Sequence, residues 1–240
     1  MTSKRYFLLV DSGNFDWDES GKFPQLSEPY EGFHDMNFVD EYGPAAYINR
    51  ARKEGARDFG ACMSPHTAFL VLQGIETLNL RMERHIQNTR SIVDFLNSHQ
   101  SVKSVCYPEL ENHPDYKLAK DILPKGCGAV FTFQLEGNKE TGTKFIEKLN
   151  LFSHLANVGD AKTLVIHPAS TTHEQLSLEE QASAGVEAST IRVSVGLEHI
   201  DDIIEDFKNS FDAISHFGPT MEINFVSAEI SFISTSSENV

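Results

Sequence analysis

Apolar positions recur at helical spacing between Pro65 and Leu96. Phe69, Leu72, Leu78, Met82, Ile86, Val93 and Leu96 fall in step with a 3.6-residue repeat. Ser64-Pro65 opens the run with a side chain that can cap free amides and a ring suited to the first helical position. At ~1.5 Å per residue this predicts a rod of about 45–50 Å, long enough to join two domains. Gly74 is its expected weak point, and Arg81, Glu83, Arg84 and His85 read as a solvated or interdomain face. Beyond it the pattern alternates. Val102 to Tyr107 reads as a strand and Pro114 to Leu123 as a short helix stopped by Pro124-Lys125-Gly126. Ala129 to Leu135 reads as a half-buried strand. Lys139 to Leu149 reads as a helix with Phe145, Ile146 and Leu149 inward. Short strands follow near Phe152 to Ala156 and Thr163 to His167, then a helix capped by Ser177 and running through Ala184. Thr190 to Val195 is a strand. His199 to Ile214 is the closing helix, with Asp201 and Asp202 in its first turn, where the helix dipole favours acids. The short crossovers predict a largely antiparallel sheet in a small mixed α/β domain over residues 99–216.

The ends of the chain read differently. Tyr6 to Val10 reads as a buried strand, broken by Asp11-Ser12-Gly13-Asn14. From there to Gly60 the chain is expected to be irregular and rich in aromatics, among them Phe15, Trp17, Phe23, Tyr30, Phe33, Phe38 and Tyr42. A loop this long is usually functional or part of an interface, and alone it would be hard to bury. Gly43 to Asp58 is expected to hold one helix, with Ala45, Ala46, Ile48 and Ala51 available for packing. Residues 217–240 show weak strand alternation over Glu222 to Phe232 and read as a loosely attached tail. The expected organisation is an N-terminal segment 1–63, a connecting helix 64–98, an α/β domain 99–216 and a tail 217–240.

Composition narrows the function classes. The 240 residues are 40% hydrophobic with a mean hydropathy of -0.30, as in ordinary soluble proteins. No apolar run approaches the roughly 18–20 residues needed to cross a bilayer. Lys4 and Arg5 precede only a short apolar run closed by Asp11, too short for a signal peptide, so the expected location is the cytoplasm and no membrane partner is expected. A net charge of -15 argues against nucleic acid, yet leaves room for a small anionic ligand at a local positive spot. Cys62, Cys106 and Cys127 are odd in number and widely spaced, and read as reduced thiols.

One stretch carries the candidate chemistry. On the strand Thr190–Val195, Ile191, Val193 and Val195 share one face and Arg192 and Ser194 the other. With the apolar face in the core, Arg192 points the opposite way. Its guanidinium can fork onto a carboxylate through two parallel hydrogen bonds. By spacing alone it reads more readily as a surface arginine on a half-exposed strand. His154, His167 and His173 lie 13 and 6 residues apart with no partner at ligand spacing, so no metal is expected there. Asp160 is expected to hold Lys162 or cap a turn. The sequence holds neither a Gly-rich phosphate loop nor a nucleophile elbow.

Four segments together resemble a known family: Val10-Asp11-Ser12-Gly13-Asn14-Phe15-Asp16-Trp17, Ser64 to His85, Leu155 to His173, and Ile191 to Ile204. Over roughly residues 6–216 the chain resembles the C-terminal portion of O-acetylhomoserine sulfhydrylases. These are Cys/Met metabolism enzymes dependent on pyridoxal 5'-phosphate, with the aspartate-aminotransferase-like α/β fold. Asn157-Val158-Gly159-Asp160 favours the sulfhydrylase branch over the cystathionine enzymes, which carry Ser where Asn157 stands. The resemblance implies that residues 1–63 belong to the end of the cofactor-binding large domain and 99–216 to the small domain. It implies that Arg192 clamps the α-carboxylate of a small amino-acid substrate, that Asn157 borders that carboxylate, and that Thr172 helps shape the pocket. It also implies a homotetramer that makes homocysteine or methionine from O-acetylhomoserine and sulfide or a thiol.

The same resemblance marks an absence. Such enzymes hold the cofactor through a Schiff-base lysine in a Ser-x-Thr-Lys segment followed by a Gly/His-rich turn, well before the Val-Asp-Ser-Gly-Asn motif. Here ten residues precede Asp11. Met1-Thr2-Ser3-Lys4 looks similar, but no such turn follows and Lys4 is only seven residues before Asp11. Lys4 is not read as the anchor, and no catalytic or cofactor-binding residue is assigned. The expectation is a truncated or fragmentary member, inactive alone. The alternatives are a fragment of a cystathionine γ-synthase or γ-lyase, a non-catalytic remnant that docks on full-length subunits, and a small-molecule binder that uses Arg192 without the cofactor.

Overall fold

The computed structural model describes residues 9–215. Lys4, most of the strand expected over Tyr6 to Val10, and the tail 217–240 lie outside them. By internal contacts the chain divides between Arg84 and His85 into two units.

In the first unit, the segment expected to be irregular folds on itself. Helices α1 (Pro24–Ser27), α2 (Phe38–Tyr42) and α3 (Ala46–Arg50) are joined by tight turns, and α3 runs on into a wide helical turn at Ala51–Asp58. Leu26, Phe38 and Ala46 are buried, and Trp17, Phe23, Tyr30, Phe33, Tyr42 and Tyr47 pack around them. The stretch expected to be hard to bury alone has these three buried residues, with Phe15 and Phe59 exposed, and its small core is held by aromatic stacking. Trp17 stacks on Tyr47 at 5.3 Å and meets Phe23 edge-on at 5.2 Å, so few residues enclose much apolar area. Asn37 fixes the start of α2 by accepting from the N–H groups of Val39 and Asp40, while its amide donates to Ser27 O at 2.8 Å.

The predicted rod is two helices, α4 (Pro65–Glu76) and α5 (Leu78–Asn97). Ser64 caps α4 as expected, accepting from Thr67 N at 3.2 Å. The break comes at Thr77, not at Gly74, and its backbone leaves the helix at φ -105°, ψ 6°. Gly74 contributes indirectly: Arg81 Nη2 donates to its carbonyl at 2.6 Å, which diverts an acceptor from the helical ladder.

In the second unit the strands are β1 (Val102–Cys106), β2 (Val130–Leu135), β3 (Ser153–His154), β4 (Leu164–Ile166) and β5 (Thr190–Ser194). The helices besides α5 are α6 (Tyr116–Ile122), α7 (Lys139–Lys148), α8 (Leu178–Ser183) and α9 (Ile200–Ser215). The sheet order is β1-β2-β5-β4-β3, antiparallel except for the parallel β3–β4 pair, as the short crossovers predicted. The alternation in β2 buries Phe131, Phe133 and Leu135. These meet Ile92 and Leu96 of α5, Phe145 of α7, and Ile203, Phe207 and Phe211 of α9 in one core. Asp206 of α9 is buried and accepts from Asn150 N and Leu151 N, closing the loop after α7.

Two positions in this unit carry predictions. Gly142 of α7 is buried, and a Cβ there would meet His167 Cδ2 at 2.6 Å. Helix propensity alone favours Ala over Gly by up to about 1 kcal/mol. Here overpacking against a fully buried ring dominates, so Gly142→Ala should destabilise the fold by about 1–2 kcal/mol in urea denaturation. His167 itself sits 2.8 Å from Ser170 Oγ and 2.7 Å from Ala188 O, and burial pushes its pKa below the ordinary histidine value. The unfolded chain therefore takes up a proton more readily there. Stability from His167 is complete above about pH 6.5 and is lost as pH falls from there through the folded value. An imidazole proton titration by NMR should place its midpoint below about 6.5.

Candidate functional site

Arg192 lies on β5, the central strand of the sheet, between Thr132 of β2 and Ile166 of β4. Its neighbours Ile191 and Val193 are fully buried on the core side, which turns Arg192 to the opposite face. That face is less open than alternation suggested. Thr190 and Ser194 are buried, because β2 and β4 flank β5 on both sides, and Arg192 alone on the strand is half-buried. Its guanidinium has no hydrogen-bond or ion-pair partner among the described residues. Ser194 Oγ, on the same face, is likewise buried and unpartnered there. A half-buried guanidinium held on a rigid strand has its donors ready for a carboxylate, with little rotamer freedom left to lose.

Asn157 and Thr172 flank β4, one on each side. Asn157 is half-buried in the loop leading into β4, and its Oδ1 accepts from Val158 N at 3.0 Å. Thr172 is exposed beyond the turn Pro168–Ser170, with its Oγ1 2.9 Å from His173 Nδ1. No hydrogen bond joins Arg192, Asn157 and Thr172 to one another among the described residues. The shared feature is the short strand between them, about 7 Å long, set against β5. Asp160 caps the same loop by accepting from Lys162 N at 3.2 Å.

The sequence reading missed the residues that hold the end of β5. His85, expected on a solvated or interdomain face, is buried with Nδ1 2.7 Å from Val195 O. Asn88 donates to Gly196 O at 3.1 Å and to Glu198 O at 3.0 Å. Glu198 accepts from Thr163 N at 2.7 Å, and Thr163 Oγ1 accepts from Gly196 N at 2.9 Å. A side chain at Gly196 would collide with the backbone of Lys162 and Thr163. This lattice ties α5, the loop before β4 and the exit of β5 into one rigid support for Arg192. Its partners lie up to 110 residues apart, so no local pattern could show it.

Comparison with known proteins fits this arrangement. Residues 9–212 match the model of the Cys/Met metabolism PLP-dependent enzyme family. The chain belongs to this family. It is 50% identical over 206 residues to a homocysteine synthase of Schizosaccharomyces pombe, covering 85% of this chain and 48% of that protein. It is 48% identical over 202 residues to O-acetyl-L-homoserine sulfhydrylase 1 of Thermus thermophilus, covering 84% of this chain and 48% of that protein. A solved Campylobacter jejuni structure assigned as an O-acetylhomoserine (thiol)-lyase, carrying N'-pyridoxyl-lysine-5'-monophosphate, superposes with a TM-score of 0.67 at 39% identity. It covers 79% of this chain and 45% of that one. The chain thus spans about half the length of the curated relatives it matches.

A family member's cofactor lysine must be desolvated and held close to the ring it binds. Among the described residues no lysine is buried. Lys53, half-buried, lies over the rings of Phe33 and Tyr42, and Lys144 is paired with Glu140 at 2.8 Å. The described residues do not fit the role of cofactor anchor.

Proposed function

We propose that this chain is the substrate-gripping part of an O-acetylhomoserine sulfhydrylase, a pyridoxal-phosphate-dependent enzyme that makes homocysteine from O-acetylhomoserine and sulfide. The observation that carries the reading is the half-buried Arg192, unpartnered among the described residues, on the central strand of a family member whose relatives bear sulfhydrylase and homocysteine synthase names.

In this reading Arg192 receives the substrate's α-carboxylate through two parallel N–H donors. Partial burial strengthens that pair relative to water. Asn157 uses its Oδ1 to hold its own loop, which leaves its amide free to donate to a carboxylate oxygen. Thr172 supplies a hydroxyl at the other end of β4 and shapes the side-chain pocket. The grip fixes the amino acid's orientation, and the cofactor's own chemistry depends on a lysine outside the described residues. The proposal includes the segment roles of residues 1–63, 64–98, 99–216 and 217–240, and a cytoplasmic homo-oligomer. Its three free cysteines suit a reducing compartment.

The test is binding of O-acetyl-L-homoserine against its methyl ester by calorimetry. The ester keeps the shape and loses the negative charge. The acid is expected to bind at least about tenfold tighter, as a lost charge-assisted pair costs about 1.5–3 kcal/mol. Equal affinities would remove the carboxylate from the interaction.

A further inference from the structure

Building on the proposed roles of Arg192 and Asn157, we infer that Glu198 is a positioning residue of the same site: it holds the loop that carries Asn157 level with Arg192. Residues 155–163 join β3 to β4. The two strands run parallel, with His154 opposite Val165. The chain therefore leaves β3 level with Ile166, the residue that pairs with Arg192 of β5. At ~3.3 Å per residue it must then double back about 10 Å to enter β4 from Thr163. Asn157 is the third residue of this return. The register starts it near the level of Arg192, and the tie at the far end decides how the loop lies.

Glu198 makes that tie. Its Oε1 accepts from Thr163 N at 2.7 Å and its Oε2 from Thr163 Oγ1 at 2.9 Å. Beside it, Leu197 N donates to Ala161 O at 2.8 Å. Thr163 is fully buried, so an N–H released there would find no water in exchange. Gly196 keeps the approach open, since a Cβ at that position would collide with the Glu198 carboxylate as well as with the backbone of Lys162 and Thr163. Glu198 forms no ion pair among the described residues, and both its oxygens are turned on one residue of the loop. What it contributes is reach. A ligand gripped by two donors binds tightly only when their separation is set in advance. The ladder with β2 and β4 places Arg192, and the loop places Asn157, so Glu198 fixes the separation.

Two substitutions separate reach from charge. Glu198→Asp keeps the charge and shortens the side chain by one methylene. Glu198→Gln keeps the reach, because its Oε1 can accept from Thr163 N and its Nε2 can donate to Thr163 Oγ1. The measurement is calorimetric titration of the full, folded chains with O-acetyl-L-homoserine. Glu198→Asp is expected to bind about tenfold more weakly than the wild type, and Glu198→Gln within about threefold of it. Asn157→Ala is expected to lose about tenfold alone and nothing further in the Glu198→Asp chain, because both changes remove the same contact. A role in stability alone would leave every folded chain with the wild-type affinity. Repulsion of the ligand by the Glu198 charge would make Glu198→Gln tighter and leave Glu198→Asp unchanged. Either pattern, or losses that multiply to about a hundredfold, would overturn the role of Glu198 while the reading of Arg192 stands. A wild-type chain that does not bind would overturn both.

Discussion

Phe207→Ala should lower stability by about 3–5 kcal/mol, the largest single-residue loss expected in the second unit. The ring is fully buried on α9, and it is where the sheet and two helices meet. It contacts Phe133 of β2 edge-on at 6.0 Å, Phe145 of α7 in a stack at 6.1 Å and Phe152 edge-on at 4.8 Å. Alanine would leave a cavity bounded by side chains from β2, α7 and the loop before β3, and a rigid, cross-linked wall collapses poorly. The check is the urea midpoint, with an unchanged slope as the sign that stability alone has moved. Leu118→Ala on α6 is the control: Leu118 is 56% exposed, and surface changes stay within about 0.5 kcal/mol. A loss below about 1 kcal/mol for Phe207 would mean that the aromatic cluster does not organise this core.

Legibility in the sequence followed locality. In the second unit, periods of 2 and 3.6 marked β2, α7, β5 and α9 to within a residue or two, because each buries one regular face. The stretch before Gly60 has no such period. Its aromatics pack on one another at irregular intervals, and only their mutual contacts reveal a core. The helix break at Thr77 was hidden for a related reason, since it involves Arg81 reaching back seven residues to Gly74 O. For His85, charge patterning left a solvated or an interdomain face open, and its burial rests on an acceptor, Val195 O, far along the chain. For Arg192, alternation showed which face it takes. Its half-burial and lack of a described partner depended on β2 and β4 closing in on either side.

The second large effect concerns Arg192 and ligand binding. Arg192→Ala should weaken O-acetyl-L-homoserine by about 10- to 150-fold, the equivalent of about 1.5–3 kcal/mol. Arg192→Lys retains the charge but not the planar fork, so it should recover only part of the loss. Fold stability should change little in either variant, because the guanidinium bonds to nothing among the described residues and the strand is held by its ladder and by His85, Asn88 and Glu198. That separation distinguishes a ligand residue from a structural one.

The central claim, that Arg192 grips an amino-acid carboxylate, is most directly measured by calorimetric titration of O-acetyl-L-homoserine into the wild-type chain and Arg192→Ala under identical conditions. The account predicts saturable binding to the wild type and at least about tenfold weaker binding to the variant, with both folded. Equal affinities in the two proteins would contradict it and leave Arg192 a surface arginine on a half-covered strand.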